Sequence, residues 1–307
     1  METPEQAGTL FTLPDNRVLC YGVYGDSNAD ATVFFHHGLP GSLVEALGYD
    51  EPAKRHGIRV VAIERPGLGR STHDPNRQLI DWPADLLAIA DHLKIDRFAV
   101  LGVSGGGPYT IACLHQIPRT RCVGGGVVAS MYPMKLGIDG MMLQNRIMLS
   151  LVPWSPWLVE KGFEYLFGSA ARDEEHPEKL EKVFDDSFQN KPGPDRECIY
   201  HDGGRTRSML IEDMRQALRY GSKGSAWEAK IAASDWGFRL EDVKVDPGQF
   251  VIWHGRLDVN APVRMAEKAA QLIQGAEARI SETDGHVSMT VGKLDEAMEA
   301  MKAILSR

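Results

Sequence analysis

The stretch FAVLGVSGGG, residues 98–107, decides the fold of this chain. An apolar run ends abruptly in Gly-x-Ser-x-Gly, with Ser104 at its centre, and the apolar segment PYTIACL follows at 108–114. Such a run predicts a buried strand, a sharp turn and then a helix. In that setting a serine is held in a strained backbone conformation with its hydroxyl exposed at the sheet edge. Gly102 and Gly106 would allow the strand and the helix to approach closely, although a plain strand-to-helix turn containing serine also fits the motif.

Composition limits the class of protein. A chain of 307 residues with 43% hydrophobic residues suits one large α/β domain with an insertion, or two modest domains. The net charge of −8 and the absence of a basic stripe argue against nucleic-acid binding. The acidic start at 1–6 has no apolar core of a signal peptide, and no apolar run is long enough to span a bilayer. The four cysteines are widely spaced, which predicts neither disulfides nor a zinc site, and we expect a cytoplasmic protein.

Buried strands alternate with amphipathic helices along most of the chain. The predicted strands cover 17–24, 31–36, 59–63, 98–103, 123–129, 250–254 and 279–281. This alternation predicts an α/β fold with a mostly parallel central sheet covered by helices on both faces. Residues 131–243 contain no convincing buried strand, and we predict a helical cap insertion there. The predicted core domain therefore consists of residues 1–130 and 244–307.

A serine hydroxyl needs a base within hydrogen-bond reach and an acid that orients the base. Of the 10 histidines, His286 follows the last short strand, where Gly285 would turn the ring back over the sheet edge. His36 and His254 lie within or at the end of strands and are expected to be structural. His286 is the predicted base.

The predicted acid is Asp258, four residues beyond the end of a strand, where a carboxylate can reach a neighbouring loop. Its alternative role is to cap the helix after Pro262, for which Asn260 is better placed. Asp284 is a rival acid, but its position two residues before His286 favours a turn-shaping role.

An oxyanion hole needs backbone N–H groups aimed at the developing charge. Gly105, directly after the serine, offers one. Leu39, in the loop HGLPG at 37–41, is well placed to offer the second, with Pro40 and the glycines fixing the loop. An ordinary Gly/Pro loop is the alternative interpretation of that segment.

Taken together, the chain resembles the α/β-hydrolase fold proteins, the group of esterases, lactonases, C–C hydrolases and proline iminopeptidases. The resemblance covers nearly the whole chain, with the insertion in the position of the family's variable cap. It rests on HGLPG (37–41), ERPGLGRS (64–71), GVSGG (102–106), HGRLD (254–258) and DGH (284–286). Glu64 departs from the family's usual Asp, in a supporting loop.

The resemblance and the residues together predict a cofactor-free serine hydrolase without a metal site. Ser104, His286 and Asp258 would act as nucleophile, base and acid, with the N–H groups of Leu39 and Gly105 as the oxyanion hole. The substrate would be an ester or lactone of a moderately large apolar small molecule. The expected partners are this substrate and a second copy of the chain, but neither nucleic acid nor a membrane.

Three alternatives stay open at this stage. A proline iminopeptidase-like aminopeptidase would need acidic anchors for a free N-terminus, for which Glu160, Glu164 and Glu212 are candidates; Leu39 replaces the second Gly of the Gly-Gly-Pro form of that group. A ligand-binding protein without turnover and a lyase are the other two. Apolar side chains of the insertion would form the pocket, although we expect more than half of them only to pack. They are Met131, Met134, Met141, Met142, Met148, Trp154, Trp157, Phe163, Met209 and Met214.

Overall fold

The computed structural model describes residues 8–307. The acidic segment at 1–6, on which the prediction of no signal peptide rests, lies outside the described residues. The described residues form an eight-stranded sheet in the order β1-β2-β4-β3-β5-β6-β7-β8. The strands are β1 Thr9–Thr12, β2 Val18–Gly25, β3 Thr32–His36, β4 Arg59–Ile63, β5 Phe98–Val103, β6 Cys122–Val128, β7 Phe250–Gly255 and β8 Glu277–Ser281.

From β4 to β8 all neighbouring strands pair in parallel, while β1 and β2 pair antiparallel at one edge. Every residue of β3, β5, β6 and β7 is buried. Continuous apolar runs of this kind need cover on both faces, because a strand buried on one face alone would alternate apolar and polar residues. The parallel arrangement also brings the carboxyl ends of β3, β5, β7 and β8 to one edge, where the candidate site lies.

Helices cover both faces of the sheet. Two separate clusters of buried residues pack there, one that includes Leu86, Ile111 and Met265, the other Tyr49 and Met301. The helices of the core are α1 Leu47–His56, α2 Trp82–His92, α3 Gly107–Gln116, α11 Val263–Leu272, α12 His286–Gly292 and α13 Leu294–Leu305. In α13, the buried residues Ala297, Met298, Met301, Ile304 and Leu305 form the stripe that the sequence predicts to face the core.

Between β6 and β7 the chain is helical, as predicted for 131–243. Two further apolar clusters hold these helices together. They are α4 Leu143–Leu151, α5 Pro156–Phe163, α6 Ser169–Ala171, α7 Glu178–Phe188, α8 Gly193–Cys198, α9 Arg205–Ala217 and α10 Lys223–Ala233, with a π-helical turn at Glu164–Gly168 joining α5 to α6. The division of the chain at residues 130 and 243 into core and cap domains stays a prediction.

Two elements differ from the sequence expectation. β1 was not predicted, because its four residues are largely exposed at the sheet edge and give no buried pattern. The segment that begins at His286 is the helix α12, whereas a loop was expected there. Within residues 8–307, no helix combines the length and the apolar character that crossing a membrane requires.

Candidate active site

Ser104 lies at the turn between β5 and α3, with the left-handed backbone angle φ of +49°. Such a conformation costs a non-glycine residue about 1–2 kcal/mol, so the surrounding contacts must impose it. A β-carbon at Gly106 would lie 2.0 Å from the carbonyl oxygen of His36, and one at Gly102 would lie 2.4 Å from the Thr110 hydroxyl. The close approach of strand and helix accounts for Gly102, whereas Gly106 is small because it packs against the end of the neighbouring strand β3.

Ser104, His286 and Asp258 lie in one hydrogen-bonded chain. The Ser104 Oγ is 2.9 Å from His286 Nε2, and His286 Nδ1 is 2.7 Å from Asp258 Oδ2. They come from the ends of three different strands, β5, β7 and β8, as predicted. The structure thus brings the predicted nucleophile, base and acid within mutual hydrogen-bond reach.

The second oxygen of Asp258 fixes its own loop. Asp258 Oδ1 accepts the backbone N–H groups of Asn260 at 2.8 Å and Ala261 at 2.9 Å. Asp258 therefore also holds the turn before α11, a role the sequence assigned more readily to Asn260. Asp284 accepts a hydrogen bond from the Ser281 hydroxyl at 2.6 Å, which agrees with its expected turn-shaping role.

The pKa values of Asp258 and His286 are shifted in opposite directions by their contact with each other. Burial alone would raise the pKa of Asp258, but the charge of His286 and hydrogen bonds from His254 and His286 hold it well below its usual range. For His286, burial lowers the pKa, and the charge and hydrogen bond of Asp258 more than offset that and raise it above 6.5. Asp258 is thus ionised, and it stabilises the protonated form of the imidazole.

His254 and His36 are structural, as expected. His254 Nε2 lies 2.7 Å from the carbonyl oxygen of Ala261 and 3.3 Å from Asp258 Oδ2. His36 Nε2 accepts the indole N–H of Trp82 at 3.0 Å. Both rings are fully buried and brace strand ends next to the site.

Asp195, which sequence reasoning missed, holds the start of α12. Its carboxylate accepts the backbone N–H groups of His286 at 3.0 Å, Val287 at 2.9 Å and Ser288 at 2.9 Å. A carboxylate at this position satisfies the free amides of a helix N-terminus. Since Asp195 is 91 residues away on α8, only the fold reveals the contact.

The oxyanion loop meets the Ser104 turn directly. A β-carbon at Gly105 would lie 2.7 Å from Leu39 Cβ and 3.3 Å from Leu39 N, so the two segments touch. Within the described residues, the N–H of Leu39 makes no hydrogen bond. The Leu39 amide is therefore free beside Ser104, as an oxyanion-hole donor must be.

Arg65 fixes the other side of this loop. Its guanidinium donates to the carbonyl oxygens of His37 at 2.6 Å and Gly38 at 2.9 Å, and its Nε donates to Glu228 at 2.7 Å. Arg77 and Tyr109 donate to the other oxygen of Glu228. Arg65 belongs to the quoted ERPGLGRS segment, but Glu228 on α10 was not predicted.

Two further buried carboxylates, Glu45 and Asp213, also escaped prediction. Glu45 accepts the N–H of Gly38, while Asp213 on α9 accepts the Ser42 hydroxyl at 2.7 Å and the Glu45 N–H at 3.1 Å. Burial raises the pKa of Glu45 to about 7, against the Gly38 N–H and the charges of Arg65 and His286. Burial, together with the Glu45 charge, raises the pKa of Asp213. A single Glu or Asp in a sequence gives no sign of such an environment.

A cavity of about 1470 Å³ opens onto Ser104 and His286 between the sheet edge and the helices of the insertion. Of the ten predicted apolar residues, six line it, namely Met131, Met142, Met148, Phe163, Met209 and Met214. The expectation that more than half would only pack is therefore wrong, because the cavity extends along α4, α5 and α9. Trp154 and Trp157 are instead 87% and 65% exposed.

The carboxylates in the cavity wall differ from the predicted anchors. Glu160, Glu164 and Glu212 are not among the lining residues, and Glu164 and Glu212 pair with arginines of the insertion. Glu45 and Glu228 line the cavity instead. Among residues 8–307, no group of three or more His, Cys, Asp or Glu side chains could hold a metal ion.

Comparison with known proteins agrees with this architecture. Residues 31–123 match the family model described as alpha/beta hydrolase fold. A "Proline iminopeptidase" from Xanthomonas citri is 25% identical over 97% of this chain and 96% of its own. A "Bifunctional esterase/perhydrolase DCH" from Acinetobacter calcoaceticus is 25% identical over 87% of this chain and 88% of its own. The solved structure of an esterase from Exiguobacterium antarcticum has a TM-score of 0.66 at 17% identity, covering 98% of this chain and 100% of that chain.

The sheet order, the serine turn and the helical insertion define an α/β protein of the hydrolase type. The chain has the α/β-hydrolase fold, and the part of it at residues 31–123 matches that family's model.

Proposed function

We propose that this protein is a serine hydrolase that cleaves a carboxylic ester or lactone through an acyl-enzyme. The observation that carries the proposal is the continuous hydrogen-bonded chain from the strained Ser104 through His286 to Asp258. The N–H of Leu39, which makes no hydrogen bond among the described residues, and the N–H of Gly105 would be the oxyanion-hole donors.

In the proposed reaction His286 takes the proton of the Ser104 hydroxyl as its oxygen attacks the substrate carbonyl. The amides of Leu39 and Gly105 stabilise the oxyanion of the tetrahedral intermediate. The resulting imidazolium, held by Asp258, then protonates the leaving alcohol. Water, deprotonated by the same histidine, attacks the acyl-enzyme and releases the acid.

The cavity supports an apolar substrate of moderate size. Met, Leu and Phe side chains supply much of the apolar surface of its wall, and Met adapts readily to differently shaped ligands. Several of these apolar residues are half or more exposed, among them Ile147 at 51% and Leu166 at 54%. Both also line the cavity and extend its apolar surface to the solvent.

Labelling with a fluorophosphonate probe tests the proposed nucleophile. We expect the intact protein to be labelled at Ser104, as located by peptide mapping, and Ser104→Ala to remain unlabelled. A panel of esters, lactones and aminoacyl amides then identifies the bond that is cleaved. Folded protein that takes no label and turns over no substrate would contradict the proposal and favour a ligand-binding role.

A proline iminopeptidase-like activity is the second candidate. The nearly full-length resemblance to the Xanthomonas citri protein favours it, and so does Glu45, a carboxylate in the cavity wall that an α-ammonium group would fit. Faster cleavage of prolyl 4-nitroanilide than of 4-nitrophenyl butyrate would select this candidate, and the reverse order would select the esterase.

A further inference from the structure

Among the described residues, Lys191 is the one lysine or arginine of the cavity wall that is partly buried. The other such residue that lines the cavity is Arg205, and its side chain is exposed to solvent. Lys191 lies between α7 and α8, in the same wall as Ser104 and His286. Its position therefore puts a positive charge inside the cavity that opens onto Ser104.

The hydrogen-bond partners of Lys191 are neutral. Its ammonium donates to the amide oxygen of Asn260 and to the thioether sulfur of Met142 at 3.1 Å. No carboxylate in residues 8–307 lies within ion-pair distance of it. A thioether is a weak acceptor, and an ammonium has three donors. Burial accordingly lowers the pKa of Lys191, against the more distant charges of Asp195 and Asp258.

The acids of the cavity wall, in contrast, all have donors of their own. Glu45 accepts the N–H of Gly38, and Glu228 pairs with two arginines. The other acids pair with lysines or accept hydrogen bonds from hydroxyl groups. The remaining four are Glu51 with Lys54, Asp186 with Lys182, Asp202 with Thr206 and Asp213 with Ser42. None of these six acids forms an ion pair with Lys191, whose polar contacts are Asn260 and Met142.

We infer that Lys191 binds a carboxylate of the substrate, so that the enzyme acts on esters or lactones that carry an acid group as well as an apolar chain. Asn260, its partner, is two residues from Asp258, so this anion would be held close to the reacting carbonyl. A substrate carboxylate would replace the weak sulfur contact with a charge-assisted hydrogen bond, which is among the stronger interactions in a desolvated site. This inference rests on the proposed hydrolase function.

Binding to the Ser104→Ala protein tests the inference without any need for turnover. Isothermal titration at pH 7 compares monomethyl adipate, which is anionic, with dimethyl adipate, which is neutral. The same pair of esters of each diacid from succinate to suberate reports the distance between the bound ester group and the bound carboxylate. We expect at least tenfold tighter binding of the monoanion at the best length. Replacing Lys191 by Met in that background should abolish the preference, whereas Lys191→Arg should keep part of it.

The matched control is Lys161→Met, which removes one charge from an exposed position of the same insertion. It should leave the preference for the anion unchanged. Equal binding of the two esters, or an equal loss of preference in both Met variants, would overturn the inference.

Turnover distinguishes the two proposals. If the proposed function fails, Ser104 takes no fluorophosphonate and neither ester is hydrolysed, while the titration still decides the role of Lys191. If only the inference fails, Ser104 is labelled and the ratio of kcat/KM for the anionic over the neutral ester is the same in the intact protein and in Lys191→Met.

Discussion

At Ser104 a single residue carries both the strain and the proposed chemistry of the site. It has a positive φ, and its hydroxyl lies 2.9 Å from His286 Nε2, in a turn where Gly106 is packed against the backbone of His36. Strained backbone at an active site is maintained by the rest of the fold. Substitution of the neighbouring glycines would therefore disturb the geometry of the serine as well as its packing.

The raised pKa of His286 predicts the pH profile of the enzyme. The ring must be neutral to accept the Ser104 proton, so kcat/KM should rise with pH through a midpoint above 6.5. In Asp258→Asn the carboxylate charge is lost, and we expect the midpoint to fall and the rate to drop about 10³–10⁴-fold. The pH profiles of kcat/KM should be measured in Glu45→Gln protein. Glu45, whose pKa is about 7, then cannot be mistaken for His286.

Asp284→Asn is the matched control, since this carboxylate lies two residues from His286 but bonds only the Ser281 hydroxyl through its side chain. Its midpoint should equal that of the parent protein. If Asp258→Asn has the same midpoint as the parent protein, Asp258 does not set the basicity of His286.

Glu45 predicts a dependence of stability on pH in the opposite direction from an ordinary buried ion pair. Its pKa is about 7 in the folded protein and about 4.5 unfolded, so the native state binds more protons between those values. The free energy of unfolding should therefore fall as pH rises from 5 to 8. Glu45→Gln, which can still accept the Gly38 N–H, should remove at least about 1 kcal/mol of that fall.

Urea unfolding at pH 5 and pH 8 measures the effect. The pKa of Asp213 is also raised, so part of the fall in unfolding free energy with pH should remain in Glu45→Gln. An identical slope with and without the Glu45 carboxyl would contradict the prediction.

At the scale of elements, α8 positions α12. Asp195→Asn leaves one acceptor oxygen for three backbone N–H groups, including that of His286. We expect a loss of about 1–2 kcal/mol in stability and a roughly tenfold lower kcat with little change in KM. Asp173→Asn, which removes a carboxylate bonded to the His176 N–H in the same insertion, should leave kcat unaltered. Equal kcat values for the two variants would show that Asp195 is only structural.

The contact between the Gly105 turn and the oxyanion loop gives a second prediction at this scale. A methyl group at Gly105 would meet Leu39 Cβ at 2.7 Å and displace the loop that carries the Leu39 N–H. Loss of one oxyanion donor costs about 10²–10³-fold in kcat. Gly292→Ala, at a position with no neighbouring atom within 4 Å of the added carbon, is the control. A kcat of Gly105→Ala within threefold of the parent would argue against Leu39 as a donor.

The alternation of apolar strands and amphipathic helices was enough to predict the sheet core, since its buried strands read as continuous apolar runs. The sequence also indicated Ser104, His286 and Asp258, because each follows a strand end beside a glycine or in a polar loop. It did not indicate Asp195, Glu228 or Asp213. Each of these acts on a residue more than 90 positions away and lies in a helical segment without a motif. Long-range contacts of this kind follow from the packing of the insertion, which local patterns do not specify.

At the scale of the whole molecule, a buried ion pair joins the insertion to the core. Glu228 on α10 is bonded to Arg65 and Arg77 of the core, and all three side chains are at most 5% exposed. Burial would raise the pKa of Glu228, but the two guanidinium charges hold it below its usual value. The glutamate is therefore ionised and compensates two buried cations at once.

Removing that one charge should loosen the junction. Glu228→Gln leaves the two arginines uncompensated, and the loss of one partner of a buried pair costs about 3–5 kcal/mol. Because Arg65 also holds the carbonyl oxygens of His37 and Gly38, kcat should fall together with the free energy of unfolding in urea. Glu164→Gln, which breaks the half-exposed pair with Arg172, should cost no more than about 1 kcal/mol. If the two glutamine variants are equally stable, the arginines have found other partners, and the insertion is held to the core by its other contacts, such as those of Asp213 and Asp195.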